Sequence, residues 1–137
     1  MVLFIDTNVL IDFLAKRDSF QSAIDKVFEL ILTGQAKGFV ASHSITNIWY
    51  ILRKDFSSEE RRELLLALLM YFDVVSLDKE LLIQGLYRND FSDYEDCLQE
   101  ECAYSAKADY IVTRNKKDFS RSRISVVTPE ELVALAE

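Results

Sequence analysis

Apolar residues come in short unbroken runs and in helical stripes, and the two kinds of segment alternate along the chain. Val2-Leu3-Phe4-Ile5 is a continuous β-favouring run, the mark of a strand buried on both faces. It stops at Asp6, and an amphipathic stripe begins at once. Val9, Leu10, Phe13 and Leu14 predict a helix over residues 8–16. The period returns in Ala23, Ile24, Val27, Phe28, Leu30 and Ile31, a helix that starts at Phe20, covers 20–32 and is closed by Gly34. Gly38-Phe39-Val40-Ala41 is a second short strand. Ser42, His43 and Ser44 then open a helix over 42–54 with Ile45, Ile48, Trp49 and Leu52 as its apolar face.

Ser57-Ser58-Glu59-Glu60 is a capping box, in which the serine hydroxyl and Glu60 satisfy each other's backbone amides. The helix it starts reaches Phe72. Asp73-Val74-Val75-Ser76 predicts a third strand, and Asp78 caps a helix over 79–87. A polar loop over 88–91 leads to a helix over 93–108 that carries Leu98, Cys102 and Ala106 inward. Tyr110-Ile111-Val112-Thr113 is the fourth strand and Ile124-Ser125-Val126-Val127 a short fifth. Thr128-Pro129-Glu130-Glu131 is a second capping box, with proline at the first helical position, leading a helix to Ala136.

Helices, not hairpin turns, separate the strands. That forces crossover connections, and so an α/β chain with three layers, α/β/α, around a central parallel sheet of four to five strands. At 137 residues the chain fits one domain, and three glycines with one proline leave no composition for a long linker.

The longest apolar stretch, residues 64–72, falls far short of the roughly 20 residues a membrane-spanning helix needs. Asp6 interrupts the first apolar run and no basic residue precedes it, which is not the pattern of a secretory leader. Cys97 and Cys102 point to different faces of one helix and do not bridge; a reducing cytoplasm is the expected setting. The net charge of −7 excludes a protein that coats nucleic acid through bulk basicity. It does not exclude a nuclease, whose acidic site takes its positive charge from metal ions.

The polar residues cluster at the carboxyl ends of the strands, where parallel sheets bind ligands. Asp6, Thr7 and Asn8 follow the first strand, Ser42, His43 and Ser44 the second, and Thr113, Asn115 and Asp118 the fourth. Asp93 and Asp96, three apart on one helix face, open the helix that leads into the fourth strand. Gathered carboxylates repel unless a cation holds them, and oxygen ligands select Mg²⁺ or Mn²⁺ over zinc. Such an ion acidifies a water and stabilises charge at phosphorus. Each residue also has a plain structural use: Asp6 and Asp93 as helix caps, Asp118 as a loop carboxylate, Thr113 and Asn115 as turn formers. Their shared location carries the functional reading.

Four blocks, in order, resemble the PIN domain: Phe4-Ile5-Asp6-Thr7-Asn8, Ser44-Ile45-Thr46-Asn47-Ile48-Trp49-Tyr50, Asp93-Tyr94-Glu95-Asp96-Cys97-Leu98-Gln99, and residues 111–119 around Thr113-Arg114-Asn115 and Asp118. The resemblance covers essentially the whole chain and implies a single PIN-like domain over 1–137. It further implies a Mg²⁺- or Mn²⁺-dependent endoribonuclease that cuts RNA phosphodiester bonds, of the VapC type that forms the toxin of a toxin–antitoxin pair. Asp6, Asp96 and Asp118 would hold the metal, Asp93 would supply a further catalytic carboxylate, and Asn8, Asn47, Thr113 and Asn115 would support the site. An antitoxin partner and a homodimer follow from the same resemblance. The chain departs from the pattern once: the family commonly has a glutamate in the helix after strand two, where Asn47 stands. Its loss defines an alternative, a catalytically weak PIN-fold module that binds RNA or protein.

Other features fit less well. His43 is the only histidine, so a two-histidine ribonuclease relay is excluded, and a lone histidine at a helix start is usually a surface or capping group. Ser42 and Ser44 lack a matched base and orienter for a triad. An aspartyl-phosphate phosphatase needs a second aspartate two residues after the first, and Asn8 occupies that place. Arg114, Lys116 and Lys117 lie beside Asp118, where they would hold RNA phosphates; solvated loop charge explains them equally well. Tyr50, Tyr87 and Tyr94 suit base stacking, while Trp49, at helical spacing, is expected in the core.

Overall fold

The computed structural model describes residues 1–16 and 21–137, so the expected helix start at Phe20 lies outside the described residues. The strands are β1 (Val2–Ile5), β2 (Lys37–Ala41), β3 (Phe72–Val75), β4 (Tyr110–Val112) and β5 (Ser125–Val127). They form one sheet in the order β3-β2-β1-β4-β5, and every pair is parallel. The unbroken apolar run of β1 is explained by its central place. Leu3 and Ile5 enter one core and Phe4 enters the other, so both faces of the strand must be apolar.

The described helices are α1 (Thr7–Ala15), α2 (Gln21–Leu32), α3 (Ser42–Ile51), α4 (Ser58–Tyr71), α5 (Lys79–Tyr87), α6 (Tyr94–Ser105) and α7 (Pro129–Ala136), with 3₁₀ turns at Leu52–Lys54 and Lys116–Phe119. On one face, Val9 and Leu10 of α1, Ile24 and Phe28 of α2, Ile48 of α3 and Leu132 of α7 pack with Leu3 and Ile5. On the other, Cys102 and Ala103 of α6 and Phe119 pack with Phe4, Ala41 and Ile111. Phe4 is fully buried there, a burial that contributes about 1.5–3 kcal/mol. α5 lies on α6 at close range: a Cβ on Gly85 would stand 3.0 Å from Leu98 Cδ2. This is the three-layer α/β/α architecture that the alternation of segments predicts. No described helix is long and apolar enough to cross a membrane.

Both capping boxes form, at Ser57/Glu60 and Thr128/Glu131, Asp78 caps α5, and Gly34 adopts φ 78° after α2. Element ends differ from expectation by one to three residues. α3 gives way to a 3₁₀ turn at Leu52, and β3 starts at buried Phe72 rather than Asp73. α6 stops at Ser105, and its exit is a turn in which Lys107 takes φ 56°. β4 ends at Val112, and Asp118 sits in a 3₁₀ turn instead of open loop. Ala106 is only half-buried, but α6 is buried continuously from Cys97 to Ala103. Helical periodicity could not show this, because the buried run includes Gln99, Glu100 and Glu101. Cys97 and Cys102 are free thiols.

Candidate active site

From β1 the chain moves outward to β2 and β3, then crosses back to β4 on the other side of β1. The crevice at a topological switch point therefore opens at the carboxyl ends of β1 and β4. Asp6 and Thr113 are the first residues beyond those two strands. The Asp6 amide donates to Val112 O at 3.0 Å, and the Thr113 amide to Val127 O at 2.9 Å. The sheet's own hydrogen bonds thus run up to the site.

Asp6 occupies the N-cap position of α1 but its side chain makes no capping hydrogen bond. Instead Thr113 Oγ1 donates to Asp6 Oδ2 at 2.8 Å. The aspartate is only 5% exposed, and burial pushes its carboxyl up to about 6. The Thr113 hydrogen bond holds it down, while the charges of Asp118 and Glu95 push it further up. Thr113 Oγ1 also accepts the Asn115 amide at 3.1 Å, a side-chain turn that starts the loop to Asp118. Asn115 and Asp118 are both exposed.

The other carboxylates come from the first turn of α6. Asp93 is its N-cap, Oδ1 accepting the Asp96 amide at 3.0 Å, so its structural use is realised. Asp96 is half-buried, and its carboxyl is raised to about 7 by burial and then by Asp93, Asp118, Asp6 and Glu95. The expected residues Asp6, Asp96, Asp118 and Asp93 therefore share one electrostatic neighbourhood. Glu95 belongs to it as well, and the sequence reading passed over it. Asn47, half-buried on α3, donates from Nδ2 to Glu95 Oε1 at 2.9 Å. Asn8 is exposed at the second position of α1.

Beneath this lip lies a polar strut that ties together Thr7, Ser44 and Gln99, one residue from each of three separate sequence blocks. Gln99, one turn after Asp96 and 1% exposed, places Nε2 3.0 Å from both Thr7 Oγ1 and Ser44 Oγ and 3.1 Å from His43 Nε2. Thr7 Oγ1 and Ser44 Oγ are 2.7 Å apart. The strut joins the starts of α1 and α3 to α6. Its one sequence signal is a polar Gln99 beside Leu98 on a helix face that otherwise turns inward. His43 is accordingly half-buried rather than a surface cap, and burial lowers its pKa against the pull of Glu95.

The basic residues expected beside Asp118 differ in their contacts. Arg114 Nε lies 2.6 Å from Oδ2 of buried Asp12, with 32% of the Arg114 side chain exposed. Lys116 pairs with Glu131 at 3.1 Å. Lys117 is exposed. Trp49 is half-buried against the first core, with the Arg61 guanidinium 4.1 Å over its ring.

Among the described residues no group of three or more His, Cys, Asp or Glu side chains is placed to hold a metal ion in a closed cage or an open one. The donor set still fits a hard cation. It is all oxygen, and burial and mutual repulsion raise Asp6 and Asp96 with no Lys or Arg among the causes. An ion such as Mg²⁺ retains waters and binds through one or two carboxylates plus substrate phosphate, so it needs no closed cage.

The PIN domain family model matches residues 2–117. No match exists among curated proteins. Solved structures similar to this chain include a toxin–antitoxin complex from Klebsiella pneumoniae, with TM-score 0.70 and 20% identity over 94% of this chain and 98% of that one. VapBC2 from Rickettsia felis, bound to a promoter DNA fragment, gives 0.68 and 18% over 93% and 98%. Mycobacterium tuberculosis VapC20, described as a sarcin-ricin loop cleaving toxin, gives 0.68 and 14% over 89% and 95%. At these identities the structures speak for the fold.

Proposed function

The chain belongs to the PIN domain family, and from that premise we propose that it is a Mg²⁺- or Mn²⁺-dependent endoribonuclease acting as the toxin of a toxin–antitoxin pair. The observation that supports this most is the uncompensated carboxylate set at the switch point: Asp6 and Asp96 are raised to about 6 and about 7 by burial and by each other's neighbours. Asp6, Asp96 and Asp118 would hold the cation. When bound, the cation supplies positive charge to the phosphate and acidifies a water for attack.

The chain's own residues do the positioning. Thr113 holds the Asp6 carboxylate through Oδ2. The Asp93 cap fixes the first turn of α6 and with it Asp96. The Gln99 strut keeps α1, α3 and α6 in register under the lip. Exposed Lys117, with Lys116 at 47% side-chain exposure beside it, would attract the RNA backbone in a salt-dependent way. A similar solved structure from Klebsiella pneumoniae is a toxin–antitoxin complex by its own description, which favours an antitoxin as the protein partner.

Purified protein with Mn²⁺ is expected to cut RNA, and Asp96→Asn to lower the rate by about a hundredfold or more, the scale of removing one charged group that acts in the transition state. RNA binding without cleavage by the metal-loaded wild type would overturn the nuclease reading in favour of a binding module.

A further inference from the structure

In a chain of net charge −7, several cations answer carboxylates: Arg88 and Arg123 pair with Glu100, Lys37 with Asp73 and Lys116 with Glu131. The end of α3 and the start of α4 differ. Arg53, Lys54, Arg61 and Arg62 form no ion pair among the described residues, and three of them face aromatic rings instead. The Arg53 guanidinium stands 3.7 Å from the centre of the Tyr50 ring. Those of Arg61 and Arg62 stand 4.1 and 5.4 Å from the centre of the Trp49 ring. Backbone carbonyls fix two of these groups: Arg53 Nη1 donates to Tyr50 O and Arg61 Nη1 to Trp49 O, both at 2.7 Å. Of the nearby acids, Glu60 is taken up by the Ser57 amide at 2.9 Å, and Asp55, Glu59 and Glu63 are exposed. Tyr50 is 61% exposed, and Arg53, Lys54 and Arg62 are exposed beside it.

This corner is joined to the candidate active site along one helix. Ser44 Oγ lies 3.0 Å from Gln99 Nε2, and Asn47 Nδ2 donates to Glu95 Oε1 at 2.9 Å, so the first half of α3 is fastened to the part of α6 that carries Asp96. Asn47, Tyr50, Ile51 and Lys54 then follow at spacings of three and four, along one face of α3 and the 3₁₀ turn after it. Asn47 and Lys54 are roughly 10 Å apart along the axis, at about 1.5 Å per residue. We propose that this face of α3 and the corner beyond it bind a single-stranded stretch of the RNA substrate next to the bond that is cut. A base stacks on the Arg53–Tyr50 pair, since guanidinium planes and aromatic rings both accept unpaired bases. Lys54 and Arg62 take the phosphates. An acidic peptide would answer the charges but leave the stacked planes without a use. The inference rests on the nuclease reading and deepens it, by naming the surface that holds the strand.

The test is the affinity of the full chain for a fluorescently labelled, unstructured oligoribonucleotide, read by anisotropy in chelator so that no strand is cut, with circular dichroism as the check on folding. Tyr50→Ala is expected to weaken binding about tenfold, within the range for losing one stacked base, and Tyr50→Phe, which keeps the ring, to stay within about twofold of wild type. Lys54→Gln is expected to lower the slope of log affinity against log salt by about 0.7, the value for one single-strand phosphate. Lys26→Gln, exposed on α2, is expected to change neither quantity. Folded Tyr50→Ala and Lys54→Gln that bind the RNA as wild type does would overturn the inference, while Mn²⁺-dependent cleavage that is lost in Asp96→Asn would leave the nuclease reading standing. A wild type that binds RNA through Tyr50 and Lys54 but never cuts it would keep this surface and overturn the nuclease reading. An equal loss on duplex RNA in Tyr50→Ala would overturn the stacking of an unpaired base. Binding of an oligoglutamate peptide through Lys54, with none of RNA, would overturn the inference in favour of an acidic protein partner.

Discussion

Helix α6 carries acidic residues just before its buried run and in the middle of it, and the fold treats the two groups in opposite ways. Glu100 and Glu101 are 0% and 4% exposed. Arg88 reaches them at 2.8 and 2.9 Å, and Arg123 at 2.7 and 2.9 Å. Burial works against ionisation of Glu100, but hydrogen bonds from Arg123 and Arg88 outweigh it and hold its pKa below the usual value. One turn earlier, burial raises Asp96, and the charges around it are all negative. The contrast separates two uses of a buried acid. A carboxylate with its own guanidinium is a structural fastener, here tying the segments around Arg88 and Arg123 to α6. One without a counter-charge has its ionisation opposed by the fold, as burial and the neighbouring carboxylates oppose that of Asp96.

Breaking the compensated end should have the largest effect on stability. Glu100→Ala leaves two guanidiniums around a vacated position, and urea unfolding is expected to show a loss of about 3–5 kcal/mol, the range for removing one partner of a buried pair. A loss below 1 kcal/mol would mean the cluster is no fastener.

The uncompensated end should show itself in the pH dependence of the chelator-treated protein. Asp6 is raised in the folded state, from 3.8 to about 6. The folded protein then binds that proton more tightly than the unfolded chain does. Stability from Asp6 is therefore fully present below pH 4 and is lost as pH rises through 6, by at most about 3 kcal/mol. Asp96 acts in the same direction up to about 7, screened by its partial exposure. Glu100, being lowered, has the opposite sign: its contribution is present above the unfolded value and lost in more acid solution. Thermal melting at pH 5 and pH 7.5 is expected to show the higher Tm at pH 5, and Asp96→Asn to reduce the difference. A flat profile in wild type would contradict the contrast.

The smallest expected effect belongs to Asp93, whose carboxylate lies in the acidic neighbourhood yet is used as a cap. Asp93→Ser preserves the cap and Asp93→Ala removes it, at a cost of about 1 kcal/mol in urea unfolding. If Asp93→Ser also keeps Mn²⁺ affinity, Asp93 belongs with the structural acids. If affinity falls while stability holds, it belongs with the lip.

Local chemistry made much of this legible. Val2-Leu3-Phe4-Ile5 announces a doubly buried strand, Ser57/Glu60 and Thr128/Glu131 announce two helix starts, and Gly34 announces a stop. Each signal depends on residues within four or five positions. The placement of Asp6, Asp93, Asp96 and Asp118 at strand ends and helix starts was legible for the same reason. Arg114 shows where local reading stops. Its neighbours Lys116, Lys117 and Asp118 give no sign that its Nε pairs with Asp12, far away in the chain. Nothing adjacent in the chain marks Glu100 and Glu101 as buried; Arg88 and Arg123 converge on them only in the fold.

The sequence by itself determined the α/β alternation, the parallel sense of the strands and the family, because crossovers and caps are short-range consequences of residue type. Only the tertiary structure decided the order β3-β2-β1-β4-β5 and which acids have cationic partners. It also brought Glu95 to Asn47. Those depend on which segments the sheet brings side by side, and electrostatic compensation is a property of distance in space.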